Sequence, residues 1–363
     1  MNLRKKFSES LLAPLLALLI ALTVTSIILF AFGSDVATVF QQMWSYGTKV
    51  DSIALILNLA TAYYLSAVAV AIGFKMNLFN IGVNGQYLLA AMFAAAVAGN
   101  INLPRVLAIP ITIVVAILVG AAWAAISGWL KVSRGVSEVI STIMLNFIAL
   151  GIISFTIIRT GIGQDIAVNV RGTKLIPESG QLPGFKLPGS NAEIYGFIVV
   201  AIAVGFGYWF LLNRTRFGFD LRATGLSPSA AVASGVDSKR ITFLTMLISG
   251  GIAGLVALPD LLGSTHTYTL NFPTGFGFTG IAIALLGRNH PLGIAFGALL
   301  WGFLDVSSQQ LDLIGIPREV VTILQGVTVL AVVIAYEIAR RNKVRMQQQE
   351  VGSALSNTEG GVR

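Results

Sequence analysis

The chain has 363 residues, of which 55% are apolar and only 11% charged, with a mean hydropathy of +0.81; a soluble globular domain is excluded, and the chain reads as an integral membrane protein. The absence of cysteine excludes disulfides, thiolate metal sites and cysteine nucleophiles. Two histidines, His266 and His290, are too few to suggest a metal centre, and the net charge of +8 raises nucleic acid as a ligand only until its distribution is followed along the chain.

A bilayer core needs about 20 apolar residues per helix. Taken in order, spans are expected at 11–32, 52–73, 84–99, 105–130, 137–158, 193–212, 241–262, 265–287, 291–308 and 319–339. This is an all-α polytopic fold of about ten transmembrane helices. The first span follows "MNLRKKFSES"; it is too long for a signal-peptide core and no small-x-small cleavage site follows, so it is read as an uncleaved helix. The third and ninth spans are short, and the eighth contains "NFPTGFGFTG", whose proline and glycines should unwind a helix unless neighbouring protein satisfies the freed backbone groups.

Lysine and arginine stay cytoplasmic near span ends. With the N-terminus inside, the inner segments hold Arg4, Lys5, Lys6, Lys75, Lys131, Arg134, Arg214, Arg216, Arg222, Lys239, Arg240, Arg288, Arg340, Arg341, Lys343, Arg345 and Arg363, which is 17 of the 24 basic residues. Both termini are therefore expected to be cytoplasmic: an N-terminal segment 1–10, a permeation domain 11–339 and a disordered tail 340–363. The basic excess belongs to this topology, and no nucleic-acid partner is expected.

Two loops stand out. The external one, 159–192, is rich in Gly and Pro and polar enough to stay out of lipid; it reads equally as a docking loop or as a disordered connector. The cytoplasmic one, 213–240, carries a compact helix signature, with Ser227 as N-cap, Pro228 at the first helical position, the small residues of "SAAVAS", and Gly235 as C-cap. Small residues four apart, Gly250 with Gly254, Gly293 with Gly297, and Ala91 with Ala95 and Gly99, read as helix-packing seams.

Five ordered segments, "LFNIGVNGQ", "RGVSEVISTIMLN", "LRATGLSPSAAVASGVDSKR", "ISGGIAGLVA" and "GIAIALLGRNHPLG", resemble the permease subunits of ABC importers of the simple sugar and nucleoside family (ribose and branched-chain amino acid type) over about 50–340. The likeness is greatest to the larger of two paired permeases in nucleoside importers. The resemblance implies a bacterial cytoplasmic-membrane protein that works with an ABC ATPase, a second permease (homologous or identical) and a substrate-binding lipoprotein. It also implies that the 227–235 helix docks on the ATPase through Ser227, Pro228, Ala230, Ala231 and Gly235, with Arg222 pairing with acidic rims or anionic lipid. No lysine is followed by Ser or Thr, so no "GxxxxGK[ST]" loop exists. No cofactor is expected on this chain; ATP and Mg belong to the partner ATPase.

Carboxylates are scarce in the spans: Asp260 and Asp305 lie near span ends and Glu138 at a helix start, which argues against a proton relay and against an ion-driven secondary transporter. The uncharged polar and aromatic residues Asn58, Thr61, Tyr63, Tyr64, Asn80, Gln86, Thr142 and Asn146 are candidates to line a pathway for a neutral hydroxylated ligand, either a nucleoside or a monosaccharide such as ribose or galactose. The same residues read equally well as hydrogen-bonding glue between helices. A membrane enzyme would need paired acids or an activated serine, and neither is visible. Span directions match between spans one to four and seven to ten, which suggests a parallel internal repeat.

Overall fold

The computed structural model describes residues 19–20, 22–27, 29–30, 33, 35–168, 170–316, 319–331 and 334. The expected N-terminal segment, most of the first span and the 340–363 tail lie outside these residues. The described part falls into two units. The smaller holds residues up to Trp44 and those from Ser308 onward. Within it the chain is helical wherever described over 19–30, and Leu29, Val39, Met43, Val320, Val321 and Leu324 are buried.

The larger unit, Ser45–Ser307, is the helical scaffold. Helix α1, Val36–Gly47, was not foreseen and runs into it. There follow α2 (Val50–Phe74), α3 (Val83–Ala98), α4 (Arg105–Arg134), α5 (Glu138–Arg159), α6 (Phe197–Arg214), α7 (Arg216–Leu226), α8 (Pro228–Ala233), α9 (Ser238–Ala253), α10 (Phe276–Leu286) and α11 (Pro291–Ser308). Among the described residues, six helical segments are long and apolar enough to cross a membrane, and α3, α10 and Glu319–Ala331 are shorter apolar helices.

Two expected spans need correction. Residues 193–195 of the sixth are a β-strand, and α6 starts only at Phe197. The eighth is helical over Phe276–Leu286 alone: after α9 the chain makes a short turn (Leu258–Asp260) and a π-turn (Leu261–Thr265), then runs without helix through 266–275. The physical reason is the Pro273 and Gly275 pair, with Gly275 held at φ +96°, a conformation that favours glycine.

The segment after α5 is ordered, which removes the disordered-connector reading. Antiparallel hairpins β1 (Gln164–Ala167) with β2 (Val170–Gly172) and β3 (Gly184–Lys186) with β4 (Glu193–Tyr195) lie over the helix ends. Asp51 Oδ1 accepts from Ser190 Oγ at 2.7 Å and from the Asn191 amide at 2.7 Å, and the Arg105 guanidinium donates to the Glu178 carbonyl at 3.1 Å. The ends of α2, α3 and α9 opposite these hairpins gather with α7 and α8: the Asn77 side chain donates to the Gly225 carbonyl at 2.7 Å, and Tyr208 Oη to the Asn289 carbonyl at 2.8 Å. Helix ends thus sort into a hairpin face and an opposite face, in the alternation the sequence requires.

The tightest joint is α4 against α9. A Cβ on Gly120 would lie 2.3 Å from the Gly250 carbonyl oxygen, and one on Gly254 would lie 2.1 Å from that of Ala116. The small-residue seam is therefore internal to this chain, and it lets two backbones meet where lipid provides no hydrophobic drive for association. Gly254→Val should force these helices apart and abolish the monodisperse folded protein in detergent chromatography. Gly151→Ala, at a helical glycine with open space around it, should leave the profile unchanged. A Gly254→Val protein with wild-type thermal stability would show that the seam does not set the fold.

Candidate functional site

The turn between α2 and α3 is where polar residues converge. Phe74 ends α2, Asn77 takes φ +55° and the Leu78 amide returns to the Gly73 carbonyl at 3.0 Å, closing the helix with a left-handed turn that Asn tolerates. The chain then re-enters the scaffold as Asn80–Gly82, which is not helical.

Asn80 satisfies this stretch. Its Nδ2 donates to Gln86 Oε1 at 2.9 Å and to Ser249 Oγ at 2.8 Å, while its Oδ1 accepts from the Gly82 amide at 3.0 Å and from Gln86 Nε2 at 2.9 Å. Ser249 on α9 passes a hydrogen bond on to the Ala69 carbonyl of α2 at 2.6 Å. Asn146 on α5 accepts from the Gly85 amide at 2.7 Å and donates to the Ile81 carbonyl at 2.9 Å. Thr142 caps back to the Glu138 carbonyl at 2.6 Å, and its Cβ would lie 3.0 Å from a Cβ placed on Gly82. Four helices are joined at one buried knot, and the donors and acceptors of Asn80 are consumed there.

The second polar centre surrounds the unwound 266–275 segment. The Tyr268 carbonyl accepts from the Thr173 amide at 2.9 Å, the His266 carbonyl from the Ile176 amide at 2.8 Å, and the Pro273 carbonyl from Tyr87 Oη at 3.0 Å. Where α10 begins, Asn84 Oδ1 accepts from the Gly277 amide at 2.8 Å and Ser66 Oγ donates to the Phe276 carbonyl at 2.7 Å. Phe276 is stacked on Tyr87 with ring centroids 5.7 Å apart and meets Tyr63 edge-on at 5.4 Å. Tyr63 Oη donates to the Asp305 carboxylate.

Of the expected pathway residues, the fold brings Asn80, Gln86, Thr142 and Asn146 together and separates the others. Asn58 is at the hairpin face, donating to the Glu193 carbonyl at 2.7 Å and accepting from the Tyr195 amide at 2.9 Å. Thr61 and Tyr64 border a separate cavity of about 680 Å³, lined also by Leu57, Phe206, Trp209, His290 and Leu299. Asn84, Ser66, Ser249, Tyr87 and Phe276 were missed as site residues; the signal for Asn84 was its place two residues before Gln86 in "NGQ".

On the opposite face, α8 forms with the expected caps: Ser227 Oγ accepts from the Ala230 amide at 3.3 Å, Pro228 opens the helix, and Gly235 at φ +86° follows it while the Val236 amide returns to the Ala231 carbonyl at 3.0 Å. One expectation is overturned. Ala231 is only 3% exposed and faces the chain's own core, so it cannot seat in a partner. The outward residues are Ser229, Ala230 and Val232, with Val232 59% exposed, and just before them Leu226 at 88%. Arg222 also turns inward, donating to the Leu212 carbonyl at the end of α6. Burial, and then the charges of Arg222 and Arg288, hold the nearby Lys75 ammonium below the ordinary lysine range.

A family model described as branched-chain amino acid transport system / permease component matches residues 52–333. The chain belongs to this permease family. The permease is 33% identical to the guanosine ABC transporter permease protein NupP of Bacillus subtilis, over 90% of this chain and 94% of that one. It is 29% identical to the glucose ABC transporter permease protein TsgB13 of Haloferax volcanii (96% and 93%), and 30% identical to the nucleoside ABC transporter permease protein NupB of Lactococcus lactis (91% and 93%). No solved structure matches the chain.

The knot assigns Asn80 a structural task in the permease. Asn80→Leu would strand the Gly82 amide, Ser249 and the Gln86 carboxamide, at about 1–3 kcal/mol for each buried group left unpaired. The expected result is a large fall in thermal stability in detergent, with uptake per assembled complex retained. Wild-type stability with uptake lost would instead place Asn80 on the ligand path.

Proposed function

We propose that this permease forms part of the translocation pathway of an ABC importer for nucleosides. The observation that carries the reading is near full-length similarity to permeases named for guanosine and nucleoside transport. The physical features agree: a helical scaffold, no phosphate-binding loop in the sequence, and a short helix offering apolar side chains on a basic face. ATP and Mg are bound by a separate ATPase, a lipoprotein delivers the ligand outside, and a second permease, identical or homologous, completes the pathway.

In this reading the chain has ten spans with both termini in the bacterial cytoplasm. Charge supports the orientation. The described opposite face carries Lys75, Lys131, Arg134, Arg214, Arg216, Arg222, Lys239, Arg240 and Arg288 against Glu138, Asp220 and Asp237; the hairpin face carries Lys49, Arg105, Arg159, Arg171, Lys174 and Lys186 against five carboxylates, Asp51, Asp165, Glu178, Glu193 and Asp260. The more basic face is the cytoplasmic one. A parallel repeat relates α2–α3 to α10–α11, supported by the left-handed turns at Asn77 and at Arg288–Asn289. Similarity to a glucose permease over 96% of the chain keeps a monosaccharide as the second reading.

The ATPase seats on α8 through Val232 and on the end of α7 through Leu226. In proteoliposomes holding the complete importer, guanosine uptake should require MgATP and its binding protein, and imposed sodium or proton gradients should not replace ATP. Val232→Arg should leave the permease folded and membrane-inserted but reduce retained ATPase at least tenfold. Uptake driven by an ion gradient alone would overturn the importer reading, and full ATPase retention by Val232→Arg would move the contact elsewhere.

A further inference from the structure

A groove floored by α2 runs between α6 and α11. α6 meets α2 at Gly205, which leaves no room for a Cβ beside the Tyr64 hydroxyl, and α11 meets α2 at Gly302, where a Cβ would lie 3.0 Å from the Ile56 carbonyl oxygen. At the face opposite the hairpins, Tyr208 of α6 bonds the Asn289 carbonyl just before α11. Between these joints lies the cavity of about 680 Å³. Its α6 wall is one side of that helix, Ile198, Ala201, Ile202, Gly205, Phe206 and Trp209, about 17 Å long at 1.5 Å per residue. Ile202 and Phe206 on this wall and Leu292 and Leu299 on the other are all exposed, so the cavity opens sideways to the surface of the scaffold. Thr61 spends its hydroxyl on the Leu57 carbonyl at 2.7 Å, which leaves the floor apolar over most of its length.

Size and charge decide what can occupy it. Spread over the length of the wall, 680 Å³ gives a mean cross-section of about 40 Å², under half that of a helix about 10 Å across. A single methylene chain fits this space and a helix does not. The end at the face opposite the hairpins is basic. His290 lines it, Arg288 lies two residues earlier, and the Arg214 guanidinium sits over the Trp209 ring, 5.7 Å from its centroid. These three side chains are exposed. Neither α6 nor the stretch 287–299 carries a carboxylate, and the nearest acid in sequence is Asp220 on α7. The other end, at Leu57 and Ile198, adjoins the β4 joint, where the Asn58 amide is spent on backbone groups of Glu193 and Tyr195. The groove is thus apolar across the membrane and cationic at one mouth, which matches an amphiphile with a long chain and an anionic head.

We infer that the groove holds an acyl chain of one anionic phospholipid, with its phosphate met by Arg214 and His290. The inference does not depend on which solute is carried, and its test reads lipid binding and not uptake. The full-length permease in its assembled complex, stripped of lipid in detergent, is incubated with phosphatidylglycerol or with phosphatidylcholine of the same chains and followed by native mass spectrometry. One phosphatidylglycerol should bind per permease, at least tenfold more tightly than phosphatidylcholine. Arg214→Gln should reduce that preference to less than threefold, and Ala295→Trp, which fills the groove, should weaken both lipids at least tenfold. A second measurement needs no variant: phosphatidylglycerol carrying a diazirine on its acyl chain should label segments 57–64 and 198–209 of the wild-type permease at least threefold above its other spans. Equal affinity for the two lipids, or labelling spread evenly over the spans, would mean an ordinary lipid annulus and would overturn the inference. Labelling that spares both segments would overturn it as well, since the groove would then be covered by protein, either the second permease or the chain's own first span.

Discussion

Everything in this scaffold depends on one constraint: a backbone amide or carbonyl that leaves a helix inside hydrocarbon must find a partner in the protein. The chain breaks its helices at Asn77–Gly82 and at Gly254–Gly275, and at each break side chains bond backbone groups that the helix no longer pairs: the Gly82 amide and Ile81 carbonyl at the first, the Pro273 carbonyl and Gly277 amide at the second. The polar residues that punctuate an otherwise apolar sequence are distributed accordingly. Asn80, Asn146 and Ser249 serve the first break, while Asn84, Ser66 and Tyr87 serve the second. Since α3 carries both Asn84 and Gln86, the two centres share a helix.

The face opposite the hairpins obeys electrostatics of a different kind. Lys75 caps the end of α2, Arg222 reaches the last carbonyls of α6, and Arg288 follows the end of α10. Each cation meets the negative end of a helix dipole, which offsets part of the cost of crowding three like charges. Arg288 and Asn289 both adopt positive φ, a conformation costing about 1–3 kcal/mol per residue that persists only where packing holds it. This face is thus stiff beneath and carries the exposed apolar side chains Leu226 and Val232.

Much of this was legible in the sequence, and the misses share a cause. Hydropathy located α2, α4, α5, α6 and α11 to within a few residues because those helices are continuous. It failed over 265–287, where apolar composition persists through a stretch whose proline and glycine forbid helix; composition reports residence in the membrane and not conformation. The caps of α8 were readable because Ser227, Pro228 and Gly235 act locally, yet the inward turn of Ala231 was not, since which side of a six-residue helix is buried depends on elements distant in sequence. The polar cluster was foreseen as a set, but whether an asparagine lines a path or ties helices together is decided by the backbone groups opposite it, such as Gly82, Gly85 and Ile81. Asp305 was read as a span-end residue because sequence distance to a helix end does not reveal depth against a neighbouring helix.

The claim that named protein groups satisfy the backbone at the two breaks is tested most directly by residue-resolved hydrogen–deuterium exchange of the permease in lipid nanodiscs. The amides of Leu78, Gly82, Gly85, Tyr268 and Gly277 should exchange as slowly as those from the middle of α2 and α4, because each lies at a buried residue and is bonded within the protein. Rapid exchange there, at the rate of the exposed 228–237 loop, would mean that the breaks are open to water and that the polar residues around them do not hold the fold.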